Sequence, residues 1–193
     1  MTSLIDEMVA AARGCLFLLV GNRQASGYFD FSRRGLIGSF IALLAATAFS
    51  AYLPRLFGFA AENGSITRGL LLSGLLFAMQ IGFAAIVLRQ LKRLDGMSPY
   101  LVTYNWATAF LALISTVLAL VGFVGDFTLI VVALVMLVIE INAARLIVTL
   151  TPLQIAMFLI AQVVGVTVGL LLLSALMPLP PEVQASLQSA MMG

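Results

Sequence analysis

The chain has 193 residues, of which 62% are hydrophobic and only 9% are charged, and its mean hydropathy is +1.14. An ordinary globular domain is roughly 45–50% apolar and about 25% charged, so this composition excludes a disordered chain, a nucleic-acid-binding protein and a disulfide-stabilised secreted domain. There is no histidine and one cysteine, which excludes a His/Cys metal site and a histidine-based triad. We interpret the chain as an integral membrane protein without a cofactor.

Residues 1–34 predict a cytoplasmic segment built around an amphipathic helix over 3–20. Asp6 and Glu7 precede the apolar run and Arg13 interrupts it, which differs from the basic-then-apolar order of a signal peptide. We expect this helix either to lie on the cytoplasmic face of the membrane or to dock under the bundle. The apolar residues that recur at helical spacing are Ile5, Met8, Ala12, Cys15, Leu16 and Leu19.

Long windows with little or no charge follow, and they predict an all-α polytopic membrane protein. A helix needs about 20 mostly apolar residues to cross about 30 Å of hydrocarbon. Lipid cannot satisfy the edge of an open sheet, and a barrel would show short alternating segments instead. Thr151 and Gln154 form a capping box at the start of the last window. The transmembrane domain covers 35–177, with spans at 36–57, 68–90, 100–122, 127–148 and 152–176, and 178–193 is a short external tail.

Eight of the ten basic residues lie before the first span, between the second and third spans, or near the end of the fourth. The positive-inside rule therefore predicts a cytoplasmic N-terminus and an external C-terminus, and we expect a bacterial inner membrane. The same basic residues could also hold anionic lipid head groups or a cytoplasmic partner. The candidates for this contact are Arg33, Arg34, Arg89, Lys92 and Arg93.

Three aromatic residues stand near the start of the third span, at Tyr100, Tyr104 and Trp106. Tryptophan and tyrosine are enriched at membrane interfaces, where the ring is apolar and its tip is polar. We therefore expect these residues to form an aromatic belt at the cytoplasmic interface.

Small residues recur on three of the spans. Transmembrane helices associate through close packing of small residues, so we expect these three faces to meet within the chain. Homodimerisation through them is the alternative. The faces are Gly74, Ala78 and Gly82 on the second span, Asn105, Thr108, Ala112 and Ser115 on the third, and Ala161, Gly165 and Gly169 on the fifth.

Glu140 is an acidic residue at membrane depth, within the fourth span. A charge at the centre of a span costs roughly 2.5–3.5 kcal/mol on insertion scales. Folding the chain at its turns places other polar residues near the same depth, which predicts a polar cluster between the third, fourth and fifth spans. Its members are Glu140, Asn105, Thr108, Asn142 and Gln162, with Gln80 about one turn deeper and Arg145 nearer the cytoplasmic end. Glu140 either specifies helix packing as a hydrogen-bonded buried acid or binds a proton, a cation or a polar head group.

The stretch Ser98, Pro99 and Tyr100, which leads into Tyr104, Asn105 and Trp106, and the glycines of the fifth span are compatible with a known family. With the five spans, the N-terminal segment and the external C-terminus, the chain resembles the Yip1 superfamily, specifically its bacterial branch, over roughly 30–177. The acidic-Pro segment and the glycine-rich signature of the eukaryotic members are not found, so no functional residue is transferred. The resemblance implies a role in membrane shaping, trafficking or partner binding.

Three classes of function fit these patterns. The first is a non-enzymatic scaffold, assembly factor or accessory subunit, which acts through contacts with lipid and with a protein partner or a second copy. The second is a small transporter or channel module that uses Glu140 with Gln80, Asn105 and Gln162. The third is a lipid-modifying enzyme, for which Glu140 and Arg145 would be a catalytic set of only two residues. We favour the first because reactive side chains are few and small-residue faces are prominent.

Overall fold

The computed structural model describes residues 4–57, 65–123 and 125–176, so the predicted external tail lies outside the described residues. Within these ranges the chain is helical and has no strand. Short 3-10 turns occupy Arg23–Tyr28 and Leu94–Gly96. The α-helices are α1 (Leu4–Leu19), α2 (Arg33–Leu56), α3 (Ser65–Gln90), α4 (Met97–Leu120), α5 (Asp126–Leu146) and α6 (Pro152–Leu176).

The helices α2 to α6 are each long and apolar enough to cross a membrane, which confirms the prediction of five transmembrane helices in an all-α protein. Each predicted boundary agrees with the structure to within three residues. One of the two hydrogen bonds of the predicted capping box is present at the start of α6, where the Thr151 N–H donates to Gln154 Oε1 at 3.0 Å. Both results follow from local rules, namely the length of an apolar run and the chemistry of a helix start.

Two closely packed helix pairs form most of the bundle, α2 with α4 and α3 with α6. The second pair depends on two glycines of α6. A Cβ atom at Gly165 would lie 2.8 Å from the carbonyl oxygen of Met79, and one at Gly169 would lie 2.9 Å from Leu76 Cδ2. The missing side chains therefore permit the close approach of α3, as in other membrane helix pairs.

The small-residue stripe of α3 points away from α6. Gly74, Ala78 and Gly82 are exposed, and a Cβ atom at either glycine would meet no atom within 4 Å in 4–57, 65–123 and 125–176. The prediction that this stripe meets the fifth span within the chain is therefore wrong. The glycines of α6 instead receive larger side chains from the other side of α3, including those of Met79 and Phe83. Four-residue spacing reveals a smooth face, but it does not reveal which neighbour covers that face.

The small-residue face of α4 contacts α2, so the prediction that it meets the other two faces is also wrong. Asn105 Nδ2 donates to Ser39 Oγ at 3.1 Å, and Ser50 Oγ donates to the Ala112 carbonyl oxygen at 3.3 Å. Asn105 and Ser39 are both completely buried. These two hydrogen bonds join α2 to α4, because lipid offers no competing partner for the polar groups.

The N-terminal helix α1 docks on the bundle, where it packs against α4 and α5. Its inner face consists of Ala11, Cys15 and Leu18, all of which are buried. The carbonyl oxygen of Leu18, near the end of α1, accepts a hydrogen bond from Asn142 Nδ2 of α5 at 2.8 Å. The structure therefore shows α1 packed on the bundle, and its position relative to the membrane face stays a prediction.

Arg93 connects the α3–α4 loop to the α5–α6 loop. Its guanidinium donates to the carbonyl oxygens of Val148 and Thr149 and to the Thr149 hydroxyl. These two loops therefore lie at the same end of the bundle, as expected for successive spans that run in opposite directions. We call this the basic end, because it carries Arg13, Arg23, Arg33, Arg34, Arg89, Lys92, Arg93 and Arg145.

Glu7 of α1 faces the start of α2. Its Oε1 atom is buried and has no hydrogen-bond partner in the described part of the chain, and a Cβ atom at Gly38 would lie 2.9 Å from it. Burial raises the pKa of the Glu7 carboxyl group above its usual value, the neighbouring Asp30 raises it further, and Arg34 partly offsets the rise. The folded protein therefore disfavours the ionised form of this side chain.

Gly165→Ala is expected to lower the free energy of unfolding by about 1–3 kcal/mol, because the new methyl group must push α3 away from α6. Gly74→Ala is the matched control. Its Cβ meets no atom, so the unfolding midpoint should stay the same or rise slightly. Thermal unfolding of both variants in one detergent measures the difference, and equal midpoints would contradict the packing.

Glu7→Gln is expected to raise the melting temperature at pH 7. The raised pKa means that Glu7 destabilises the fold as the pH rises past the usual carboxyl value of 4.5, and most strongly above the folded-state pKa. At about pH 3.5 the carboxyl group is mostly protonated in both states, so the two proteins should melt together. Melting curves at both pH values test this, and a variant that is less stable at pH 7 would refute it.

Candidate functional site

A network of hydrogen bonds joins α3, α4 and α6 inside the bundle. Gln80 Nε2 donates to Gln162 Oε1 at 2.9 Å, and the Tyr100 hydroxyl donates to the same oxygen at 2.8 Å. The Tyr104 hydroxyl donates to Gln80 Oε1 at 3.2 Å. We call these four residues the amide–tyrosine network, and it ties the α3–α6 pair to α4.

The tyrosines of this network reach the amides because they stand four residues apart on α4 and so share one helix face. Their ring centroids are 5.7 Å apart, and Phe158 of α6 packs edge-on against Tyr100 at 4.8 Å. Tyr100 and Trp106 are buried, and Tyr104 is partly buried. The prediction of an aromatic belt at the interface is therefore wrong, because these side chains pack inside the bundle and the tyrosine hydroxyls find amide partners there.

A cavity of about 240 Å³ adjoins the amide–tyrosine network between α3, α5 and α6. Its polar lining consists of Glu140, Gln80, Gln162 and Thr167, and its apolar lining of Leu137, Leu159, Val163 and Val166. The cavity opens on one side of the bundle, where its lining residues Leu137, Val163 and Thr167 are exposed. We call it the Glu140 cavity.

Gln162 has an unsatisfied donor at this cavity. Its side chain is only 3% exposed, and its Oε1 atom accepts both hydrogen bonds of the network. Its Nε2 atom is buried and has no partner among the residues that the structure describes. Leaving a buried polar group unpaired costs about 1–3 kcal/mol, so a ligand that accepts a hydrogen bond here would be favoured.

The polar residues that the sequence assigns to one cluster fall into separate groups. The cavity brings Glu140 together with Gln80 and Gln162. Asn105 instead bonds to Ser39 of α2, and Asn142 bonds to the end of α1. The prediction of a single cluster is therefore wrong, because folding the chain at its turns gives the depth of a residue but not the side of the helix on which it lies.

Two further members of the predicted cluster also lie outside the cavity lining. Arg145 is exposed at the basic end. Thr108 stands one turn along α4 from Tyr104, with its hydroxyl close to that of Tyr104 but without a hydrogen bond of normal geometry. The sequence analysis missed Tyr100, Tyr104 and Thr167 as functional candidates. The four-residue spacing of the two tyrosines on one helix face is the signal that could have indicated them.

The predicted lipid- or partner-binding residues all lie at the basic end. Arg33, Arg34, Arg89 and Lys92 are exposed, so their charges face the surroundings of the bundle. Arg93 is partly buried, and its guanidinium donates hydrogen bonds to the α5–α6 loop. It also forms a weaker ion pair with Asp95 at 3.9 Å. Arg93 therefore serves the structure of this end, and the other four remain predicted contacts.

No protein-family model, curated protein or solved structure matches the chain. Within 4–57, 65–123 and 125–176 there is also no group of three or more Cys, Asp or Glu side chains that could hold a metal ion. The function is therefore argued from the geometry of the helices and of the Glu140 cavity.

Tyr100→Phe is expected to lower the free energy of unfolding by about 0.5–1.5 kcal/mol, because it removes a buried hydrogen bond to Gln162. Tyr52→Phe changes an exposed tyrosine of α2 and is the matched control, which should leave stability unchanged. Unfolding curves in the same detergent compare the two variants. A Tyr100→Phe protein as stable as the wild type would show that the hydrogen bond from Tyr100 to Gln162 contributes nothing to stability.

Proposed function

We propose that the chain is a non-enzymatic membrane scaffold, assembly factor or accessory subunit that binds a transmembrane helix of a partner or of a second copy on α3. The supporting observation is the uncovered surface of α3. Only 6% of its apolar window in Gly69–Gln90 is buried, the lowest value among the five spans. Its packing is almost all with α6, and its contacts with α2 are sparse.

The chemistry of this surface suits a second helix. Gly74, Ala78 and Gly82 form the exposed stripe, and no atom of the described residues lies within 4 Å of a Cβ placed at either glycine. Small residues at four-residue spacing allow two backbones to approach closely in lipid, where van der Waals contact drives association. This face of α3 therefore offers a helix the same kind of contact that Gly165 and Gly169 offer to α3 itself.

The scarcity of reactive groups supports a non-enzymatic role. A catalytic site needs a nucleophile or an acid–base set within reach of one substrate. Arg145, the proposed companion of Glu140 in an enzyme, is exposed and does not line the cavity. Burial raises the pKa of the Cys15 thiol to about 12, which disfavours the nucleophilic thiolate.

A small transporter or channel module is the second candidate, and one observation favours it. Glu140, Gln80 and Gln162 share a cavity, as that mechanism requires. Asn105, the remaining member of the proposed pathway, bonds to Ser39 on the α2-facing side of α4. The polar groups thus support a binding site better than they support a continuous pathway.

For the orientation, we propose a cytoplasmic N-terminus, an external C-terminus and a bacterial inner membrane. The gathering of eight basic residues at one end supports this choice under the positive-inside rule. The resemblance to the bacterial branch of the Yip1 superfamily agrees with a partner-binding role, and we propose membership on the same organisation of spans. Arg33, Arg34, Arg89 and Lys92 are exposed at this end, and we propose that they contact anionic lipid head groups.

A photocrosslinking residue in place of Ala78 is expected to give one discrete adduct in native membranes, either a dimer or a single partner, because this position lies at the centre of the proposed contact face. Leu134 of α5 is also exposed and serves as the matched control position, where no discrete adduct is expected. Immunoblotting after irradiation provides the measurement.

Adding Gly82→Leu should abolish the adduct at position 78. The larger side chain blocks a second helix but meets no atom near its Cβ within the chain, so the unfolding midpoint should not fall. An adduct that survives Gly82→Leu, or one equally strong from position 134, would rule out α3 as the binding face.

A further inference from the structure

We propose that the Glu140 cavity binds the uncharged hydroxyl head group of a membrane lipid. The lipid oxygen accepts a hydrogen bond from Gln162 Nε2, and its O–H donates to the Glu140 carboxyl group. This site lies between α3, α5 and α6, and none of its lining residues belongs to the exposed stripe of α3, so lipid binding there goes beyond the proposed scaffold role.

The unsatisfied donor of Gln162 is the first reason. A buried Nε2 atom beside a cavity needs an acceptor, and the structure holds Gln162 in this orientation because its Oε1 atom already accepts from Gln80 and Tyr100. The side chain cannot turn its amide away without breaking both of those hydrogen bonds. No acceptor among the described residues meets this atom, and a molecule in the cavity can supply one.

The pairing of Gln162 with Glu140 selects the chemistry of the head group. The cavity presents an amide donor and a carboxyl group together, and a hydroxyl can accept from one and donate to the other with a single oxygen atom. An ammonium group only donates and would leave Gln162 Nε2 unmatched. A phosphate group would bring a negative charge towards an acidic side chain, and both charged head groups cost far more to remove from water than a hydroxyl.

The depth of the site favours an uncharged head group for the same reason. Glu140 stands six residues before the end of α5 at Leu146, which corresponds to about 9 Å along a helix. A charged head group is expensive at such a depth in hydrocarbon, whereas a hydroxyl that is hydrogen-bonded on both sides is not.

The size and the walls of the cavity fit a small head group whose tail stays in the bilayer. Pockets that enclose a whole drug-sized ligand measure about 300–1,000 Å³, and this cavity of about 240 Å³ is smaller. Its mouth is flanked by the exposed apolar side chains of Leu137 and Val163, against which a hydrocarbon tail can lie. Diacylglycerols, isoprenoid alcohols and hydroquinones all share this chemistry.

The test is photoaffinity labelling of the full chain in lipid nanodiscs. Diazirine-bearing analogues of a diacylglycerol, an isoprenoid alcohol and a hydroquinone form three arms, which distinguish the sources of the hydroxyl, and an alkylammonium lipid forms a fourth. We expect at least one hydroxyl lipid to label cavity-lining peptides of α5 or α6, with saturation, and the alkylammonium lipid not to do so.

The variants separate hydrogen bonding from charge. Gln162→Leu and Glu140→Leu should each weaken the labelling affinity about tenfold or more, because each removes one hydrogen-bonding partner. Glu140→Gln should retain binding, because its amide oxygen still accepts from a hydroxyl. Gln90→Leu removes an exposed amide at the end of α3 and is the matched control, with unchanged labelling expected.

Val163→Trp keeps the proposal testable if Gln162→Leu disturbs the fold. Val163 lines the cavity and is exposed, so a larger side chain there should close the mouth and abolish labelling while the bundle stays intact. The proposal is overturned if no hydroxyl lipid labels the cavity, which leaves water as the occupant. It is also overturned if the ammonium lipid labels the cavity and Glu140→Gln abolishes that labelling, or if Val163→Trp leaves the labelling by the hydroxyl lipids unchanged. None of these results affects the adduct from position 78, so the two proposals fail independently.

Discussion

A bilayer offers no hydrogen-bonding partner to a polar group in its hydrocarbon layer, and this constraint organises the bundle. Gln80 and Gln162 satisfy it through each other and through the hydroxyls of Tyr100 and Tyr104. These hydrogen bonds join the α3–α6 pair to α4, just as the hydrogen bond from Asn105 to Ser39 joins α4 to α2. Since lipid is as apolar as the inside of the bundle, these few polar contacts specify the arrangement of helices that hydrophobicity alone leaves open. Gln162 Nε2 is a buried polar atom that the described residues leave unsatisfied, and its side chain lines the Glu140 cavity.

The close approach of α3 to α6 has a consequence for the rest of the bundle. Gly165 and Gly169 turn one face of α6 towards α3, while α5 packs mainly on α4 and makes few contacts with α6. Because α6 packs on α3 and α5 packs on α4, a gap remains between α5 and α6, and the Glu140 cavity lies in this gap. Glu140 thus lies beside a gap that the packing of its neighbours creates, and the Gln162 amide, held by two hydrogen bonds, lines the opposite wall.

The sequence was sufficient for the spans but not for the faces of the helices. Apolar runs predicted all five helix boundaries to within three residues, and Thr151 with Gln154 marked the start of α6, because both signals are local. The stripe of Gly74 and its neighbours was assigned to the wrong side, and Tyr100 was expected at the interface rather than in the core. In water a buried face can be recognised by its hydrophobicity, but in lipid both faces are apolar, so the inward direction depends on contacts between distant residues. The sequence identified Glu140, Gln80 and Gln162 because amides and acids are rare in a span. It could not predict that Asn105 lies apart from them, because that depends on how each helix is rotated about its axis.

The helix α1 packs on this interior through its contacts with α4 and α5. Its inner face is buried, yet the opposite side of the helix also carries exposed apolar residues, namely Ile5, Val9, Leu16 and Val20. At 100° per residue these four fall within roughly 60° of one another, a stripe that water would disfavour and that hydrocarbon would accept. This pattern favours a position at the membrane interface, with the inner face on α4 and α5 and the stripe towards lipid. Asn142 holds the end of α1 and stands two residues after Glu140 on α5. A displacement of α1 by lipid or by a partner would therefore act on the helix that carries the acid of the cavity.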